Sequence, residues 1–247
     1  MDIPLFLFYI MVGALPGLAW LFYYLRKDLH PEPKRMIVKV FTYGMLITIP
    51  VFFIQVGLSQ LLQGVADYPL FLAHPILIDI IKWFLVIAFT EEFFKYAVVR
   101  LVVFRSEELD EPLDLMLYLV VAALGFATLE NILYIFSPLN NAPFAVIESA
   151  VLISFIRFIG ATFLHTLCSG LVGYFMVLST LRSKRKPVLV AIGIILATLL
   201  HGLYDFSIIS LSSPIDILIP GLIIIALAIF MLYDFDDVKK LKGICKL

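Results

Sequence analysis

The chain has 247 residues, of which 62% are hydrophobic and 15% are charged, whereas soluble domains have about 45–50% apolar and about 25% charged residues. Together with a mean hydropathy of +1.06, these fractions exclude a soluble globular protein. The net charge of −1 and the two cysteines argue against nucleic acid as a partner and exclude a disulfide-rich scaffold. The composition predicts a protein that crosses the lipid bilayer several times.

Seven apolar stretches are long enough to cross a hydrocarbon core, which takes about 20 helical residues. In chain order they are 3–25, 36–62, 79–104, 114–136, 157–181, 187–209 and 214–233. Continuous apolar runs favour helices over barrel strands, whose polarity alternates. No repeat or low-complexity linker divides the chain. We therefore predict an all-α fold, a polytopic membrane helix bundle of about seven transmembrane helices that forms a single domain over 1–247.

Lysines and arginines concentrate in the connections after the first, third and fifth spans and in the C-terminal tail. They are Arg26, Lys27, Lys34, Arg35, Arg100, Arg105, Arg182, Lys184, Arg185, Lys186, Lys239, Lys240, Lys242 and Lys246. The alternate connections, 63–75, 137–145 and 210–213, contain neither residue type. Because short basic loops stay in the cytoplasm, we expect the N-terminus outside the cell and the C-terminus inside it.

A second set of polar side chains lies within the predicted spans, where each charge costs about 2.5–3.5 kcal/mol at a helix centre. The set comprises Glu91, Glu92, Lys95, Glu130, Asn131, Arg157, His165, His201 and Asp205. Lys95 follows Glu91 by four residues and Glu92 by three, so it can neutralise one carboxylate across a helical turn. His201 and Asp205 are four residues apart and share a helix face. We expect these groups to meet in a polar centre in the outer half of the membrane, open to extracellular water.

The residue types alone leave three classes of function open. Two neighbouring carboxylates beside a lysine suit the general acid–base chemistry of a hydrolase. A zinc ion needs three or four ligands, and the candidates are Glu130, His165, His201 and Asp205. The His-Glu-x-x-His motif of many zinc proteases is absent. Buried Glu, Lys and His also occur in ion-coupled transporters, and a non-catalytic membrane scaffold would keep the same polar centre.

Five short blocks of residues between 91 and 205 resemble the motifs of a known protein family. They are Glu91-Glu92-Phe-Phe-Lys95, Asp110-Glu111-Pro112-Leu113-Asp114, Gly125-Phe126-Ala-Thr-Leu-Glu130-Asn131, Arg157 with His165, and His201-Gly-Leu-Tyr-Asp205. In order and spacing they resemble the PrsW family of bacterial membrane proteases, which is related to the CAAX prenyl endopeptidases and bacteriocin-processing enzymes. The chain departs from those related enzymes twice. Lys95 takes the place of their arginine but stands one position earlier in the motif, and Glu130 stands where a histidine is expected after Phe126.

The resemblance implies an intramembrane endopeptidase of the glutamic type, with no cofactor and with zinc as the alternative. Glu91 or Glu92 would be the general base for the attacking water, and His165 would assist proton transfer. His201 and Asp205 would face the oxyanion or orient the water. The supporting residues would be Lys95, Glu130, Asn131 and Arg157.

The resemblance also implies where the enzyme acts and on what. The protein would lie in a bacterial cell membrane as a multi-pass protein, with the lipid bilayer as one of its partners. Its partner would be a membrane-anchored protein substrate such as a single-span anti-sigma factor. Site-1 cleavage of that substrate on its extracellular side would then serve envelope stress signalling.

Overall fold

The computed structural model describes residues 3–26, 31–104, 106–136, 143–181 and 186–238. In chain order the helices are α1 (Ile3–Leu25), α2 (Lys34–Gly64), α3 (Pro69–Ala73), α4 (Ile76–Ile80), a π-helix (Ile81–Phe89), α5 (Thr90–Val102), α6 (Pro112–Phe136), α7 (Pro143–Ile159), α8 (Ala161–Leu181), α9 (Lys186–Ser210) and α10 (Ile215–Val238). No strand occurs in these ranges. The prediction of an all-α fold is confirmed.

Six helical segments of the described chain are long and apolar enough to cross a membrane. The third predicted span corresponds to α4, the π-helix and α5, which follow one another without a break over 76–102. This run carries several charged residues, including Glu91, Glu92 and Lys95. With it, the bundle agrees with the expectation of about seven transmembrane helices.

The fifth span begins earlier than the predicted residue 157. Helix α7 already starts at Pro143, and the break between α7 and α8 lies at Gly160. Ser154 sits within α7, and its hydroxyl donates to the carbonyl oxygen of Val12 at 2.7 Å. This hydrogen bond attaches α7 to α1, and residues 147–180 together form one apolar helical segment long enough to cross the membrane.

Helix α6 is the centre of the bundle and packs against α1, α2, α5 and α8. Every residue from Pro112 to Thr128 is buried, which explains why this helix is apolar on all sides. The α2 backbone approaches it closely. A Cβ at Gly44 would lie 2.9 Å from the carbonyl carbon of Ala122, and one at Gly125 would lie 2.9 Å from that of Phe41. Glycines at this crossing fix the register of α2 against α6.

The helices alternate in direction and give the bundle two distinct ends. The basic end carries the start of α2, the end of α5 and the start of α6, and the other end carries the connections 63–75 and 211–214. At the basic end, Asp114 accepts hydrogen bonds from the amides of Asp110 and Glu111 and so caps α6. The structure therefore gives this block of the resemblance a local role in starting a helix.

Some residues used to predict orientation lie outside the described ranges. These are Lys27, Arg105, Arg182, Lys184, Arg185, Lys239, Lys240, Lys242 and Lys246. Most of the connection 137–145 lies outside them as well. The structure describes a multi-pass helix bundle, and the assignment of its two ends to the two sides of the membrane stays a prediction.

Candidate active site

The two neighbouring glutamates lie in the first turn of α5, directly after the π-helix. π-helical turns are rare and often occur at functional sites. Gly202 on α9 allows this segment to come close, because a Cβ there would lie 2.8 Å from Cδ1 of Phe84. The close approach brings His201, the preceding residue of α9, next to Glu91 and Glu92.

Glu92 is the most enclosed acid of the site, and its side chain is 0% exposed. Its Oε1 atom accepts hydrogen bonds from Lys95 Nζ at 2.8 Å and from His201 Nδ1 at 2.9 Å. Its Oε2 atom accepts a weaker one from the Ser169 hydroxyl at 3.4 Å. Both carboxylate oxygens are therefore engaged by protein groups, and α5, α8 and α9 all converge on this residue.

Glu91, the residue directly before Glu92, has a different environment. Its Oε1 atom accepts a hydrogen bond from Gln55 Nε2 of α2 at 3.1 Å. Its Oε2 atom is buried and has no hydrogen-bond partner in the described residues. That oxygen lies 3.6 Å from Lys95 Nζ, 3.7 Å from His165 Nδ1 and 3.9 Å from His201 Nε2. One oxygen of Glu91 is thus held in place, and the other faces three nitrogen atoms.

His165 links this pair to a second acid. Its Nδ1 atom is 2.7 Å from Lys95 Nζ, and its Nε2 atom is 2.9 Å from Glu130 Oε2. Because an ammonium group only donates hydrogen bonds, we assign Nδ1 as the acceptor and Nε2 as the donor to Glu130. Arg157 Nη2 also donates to Glu130 Oε2, at 2.7 Å. Glu130 therefore orients the ring of His165 and is itself held by a cation.

Arg157 and Asn131 close the network toward α7. Arg157 Nε donates to Asn131 Oδ1, and Asn131 Nδ2 donates to the Thr162 hydroxyl at 2.9 Å. The Arg157 guanidinium also lies 4.0 Å from the centre of the Tyr134 ring. These contacts attach α7 and the start of α8 to the end of α6, so the shape of the site depends on the α7–α8 junction.

His201 is held between two acids. Its Nδ1 atom contacts Glu92, and its Nε2 atom lies 3.3 Å from Asp205 Oδ2. The rings of His165 and His201 meet edge to face, with their centres 5.0 Å apart. The Asp205 side chain is 24% exposed, against 3% for His201. Asp205 therefore lies at the mouth of the site and His201 below it.

A cavity of about 590 Å³ opens onto this network. Glu91, His165 and His201 line its floor together with Gln55, whereas Glu92 and Lys95 lie behind it. Apolar side chains from α2, the π-helix, α6, α7, α8 and α9 form its walls, and they include Phe52, Trp83, Ile87, Leu133, Ile156, Leu164, Ile208 and Ile209. An apolar cleft with a few converging polar groups is the usual form of a substrate site.

All nine side chains selected from the sequence lie in this one network. Four side chains that were not selected from the sequence also contact it, and they are Gln55, Thr90, Thr162 and Ser169. Gln55 is one of several polar residues in α2, together with Thr48, Ser59, Gln60 and Gln63. No spacing in the sequence distinguishes it from the others, because its contact depends on how α2 crosses α6.

Comparison with known proteins gives a consistent assignment. The PrsW family, described as intramembrane metalloproteases, matches residues 32–233. A Protease PrsW from Oceanobacillus iheyensis is 30% identical over 213 residues, covering 86% of this chain and 88% of that protein. The Geobacillus kaustophilus Protease PrsW is 31% identical over 198 residues, which cover 80% of this chain and 78% of that protein. The Bacillus subtilis Protease PrsW is 29% identical over 216 residues, which cover 87% of this chain and 88% of that protein. No solved structure matches significantly.

The fold and these matches define the chain as a membrane-embedded peptidase. Its substrate class is accordingly a membrane protein. Specifically, the chain belongs to the PrsW family.

Three side chains of the cavity floor could hold a metal ion. One donor atom each from Glu91, His165 and His201 lies within 4.8 Å of the other two. Two histidines and a glutamate with an open fourth position are a ligand set of catalytic zinc, and the unpartnered Oε2 of Glu91 is suited to such a bond. The donor set therefore fits zinc in type and number. On His165, the ring nitrogen that lies near Glu91 Oε2 is Nδ1. The same nitrogen is 2.7 Å from Lys95 Nζ, so an ion bound there would have to displace that ammonium group.

Proposed function

We propose that this peptidase is of the glutamic type and that Glu91 is its general base. The observation that carries the proposal is the difference between the two neighbouring acids. Glu91 lines the cavity and has a buried oxygen without a partner, whereas both oxygens of Glu92 are engaged. A general base needs a free oxygen within hydrogen-bond reach of the water that it deprotonates.

The reaction follows from the positions of these atoms. Glu91 Oε2 would take a proton from a water in the cavity as the water oxygen attacks the carbonyl carbon of the scissile peptide. The negative charge that develops on the carbonyl oxygen would be stabilised by the Nε2–H group of a doubly protonated His201, whose hydrogen bond would shift from Asp205 to the oxyanion while Nδ1 stays bonded to Glu92. Glu91 would then return the proton to the leaving amide nitrogen as the C–N bond breaks.

The remaining residues would position this machinery. Lys95 would neutralise Glu92 and shield Glu91 from it, because its ammonium group lies between the two carboxylates. Glu130 and Arg157 would keep the His165 ring in its observed orientation. The apolar walls of the cavity would hold an extended, apolar stretch of the substrate and keep bulk water out.

We propose a single-span anti-sigma factor as the substrate, cleaved on the extracellular side of the membrane. The basic residues near the start of α2 and the end of α5 suggest that the N-terminus lies outside and the C-terminus in the cytoplasm. In that orientation the cavity opens toward the outer half of the membrane. A juxtamembrane segment of a single-span protein reaches this depth by unwinding a few residues of its helix.

The experiment that tests the glutamic mechanism uses purified enzyme in proteoliposomes with single-span anti-sigma factors of the source organism. Wild-type enzyme is expected to produce one cleavage, located by mass spectrometry of the fragments. The Glu91→Gln variant should bind the substrate and fail to cleave it, and His165→Ala should also lose cleavage. Cleavage by Glu91→Gln at the wild-type rate would refute the role of Glu91.

A zinc-dependent peptidase is the second candidate, and the Glu91, His165 and His201 donor set favours it. These residues would hold the ion, which would polarise the attacking water or the peptide carbonyl. Stoichiometric zinc in the active protein, with activity lost to a chelator and restored by zinc, would support this candidate over the metal-free mechanism. Membership in a peptidase family leaves little reason to retain a transporter or a non-catalytic scaffold.

A further inference from the structure

Gln55 of α2 contacts one of the acids of the site. Its Nε2 atom donates to Glu91 Oε1 at 3.1 Å and lies 3.3 Å from the Thr90 hydroxyl oxygen. The Thr90 oxygen is in turn 2.6 Å from the carbonyl oxygen of Val86 and 2.9 Å from that of Ile87. Gln55 therefore contacts Glu91 directly and is linked to the last turn of the π-helix through Thr90.

We propose that Gln55 is a positioning residue that fixes the Glu91 carboxylate so that Oε2 stays beside His165 and His201, which line the cavity with it. This inference rests on the proposed role of Glu91 as the base. The terminal torsion of a glutamate is soft, so without a partner its two oxygens exchange places and sweep a wide range of orientations. A donor on Oε1 alone removes that freedom and leaves Oε2 available to the water.

The support for Gln55 comes from the packing of α2. Two contacts anchor α2 against α6. Gly44 packs closely against Ala122, and the Thr48 hydroxyl lies 3.4 Å from the Phe126 carbonyl oxygen. Gln55 lies two turns beyond Thr48 on the same helix. Its amide is thus held by a rigid element rather than by a loop, as accurate positioning of a reacting group requires.

The physical consequence is a loss of turnover rather than of substrate binding. Displacing a reacting group by about 1 Å costs about 100-fold in rate. Because the hydrogen bond joins two enzyme groups, its removal should leave the contacts between substrate and cavity wall unchanged. We therefore expect kcat to fall and KM to stay the same.

The test is steady-state kinetics of Gln55→Met, which keeps the length of the side chain and removes the donor. We expect kcat to fall about 10- to 100-fold with KM within about twofold of wild type. The matched control is Gln60→Met, the same substitution at an exposed position of the same helix, which should retain wild-type kinetics. Thermal unfolding of both variants in one detergent shows whether they are folded.

A second pair of variants keeps the test decisive if Gln55→Met does not fold. Thr90→Val removes the second contact of Gln55, whereas Thr90→Ser keeps the hydroxyl. We expect Thr90→Val to lower kcat severalfold and Thr90→Ser to retain it. Equal activity of these two variants would overturn the inference.

The outcomes separate this inference from the proposed function. Full activity of Gln55→Met with inactive Glu91→Gln would refute the positioning role and leave the base in place. A rise in KM with unchanged kcat would also refute it, since Gln55 would then contact the substrate directly. If Glu91→Gln cleaves at the wild-type rate, the proposed base is wrong, whatever Gln55→Met does.

Discussion

Replacing each of the two neighbouring glutamates by glutamine should separate stability from activity. At an effective dielectric constant of about 20, a charge pair 2.8 Å apart attracts by about 6 kcal/mol before desolvation is subtracted, and Glu92 lies at this distance from Lys95. Glu92 also accepts from His201. Removing one partner of a buried ion pair costs about 3–5 kcal/mol. We expect Glu92→Gln to lower the free energy of unfolding by about 3 kcal/mol, at the low end of that range. The reason is that Glu91 still lies 3.6 Å from Lys95 Nζ and partly compensates its charge.

Glu91→Gln should lower the free energy of unfolding far less than Glu92→Gln does. Glu91 has one hydrogen bond, and repulsion from Glu130 and Asp205 opposes its attraction to Lys95. For a chain of this length, 1 kcal/mol corresponds to about 2–4 °C in Tm. We therefore expect Glu92→Gln to unfold about 6–12 °C below wild type and Glu91→Gln within about 2 °C of it.

The assay compares thermal unfolding of wild type and both variants in one detergent at one heating rate, because membrane proteins often unfold irreversibly. Cleavage is measured on the same preparations. Glu91→Gln should be stable and inactive, whereas Glu92→Gln should be destabilised. Equal Tm values for the two variants would refute the reasoning, since the engaged and the unengaged carboxylate would then be energetically equivalent.

Three further predictions concern the surroundings of the site. Arg157→Met removes the cation from Glu130 and should lower Tm by about 4–8 °C, which corresponds to about 2 kcal/mol; Arg157→Lys should recover less than half of that loss, because lysine lacks the planar fork. Gly44→Ala should destabilise the fold by about 1–3 kcal/mol and reduce kcat, because the added methyl group pushes α2 away from Ala122. Gly57→Ala, on the same helix with no neighbour within 4 Å, should be neutral or slightly stabilising. Finally, cleavage should persist after treatment with a chelator, with substoichiometric zinc measured by elemental analysis.

Each of these predictions has a contradicting result. Wild-type stability of Arg157→Met would show that the ion pair contributes nothing to the attachment of α7. Equal effects of Gly44→Ala and Gly57→Ala would mean that the close helix crossing is not needed. Loss of cleavage on chelation, with recovery on addition of zinc alone, would replace the glutamic mechanism by the zinc-dependent one.

The amino-acid sequence alone was enough to predict a polytopic membrane helix bundle and to select the nine polar residues of the candidate site. Both conclusions come from one physical fact, the high cost of a polar group in hydrocarbon. That cost makes long apolar runs a reliable sign of spans and makes every charge within a span conspicuous. Helix geometry added the local pairs, because Lys95 must lie near Glu92 and His201 near Asp205 whatever the rest of the fold does.

How the helices meet could not be read from the sequence and is known only from the folded bundle. The rotation and tilt of each helix set whether Glu91 or Glu92 faces the cavity, and the two are adjacent in sequence with the same chemistry. The contact of Gln55 with Glu91 depends on the crossing of α2 and α6, and the hydrogen bond from Ser154 to Val12 depends on the packing of α7 against α1. Contacts between helices depend on packing over the whole bundle, whereas hydropathy and spacing report only one helix at a time.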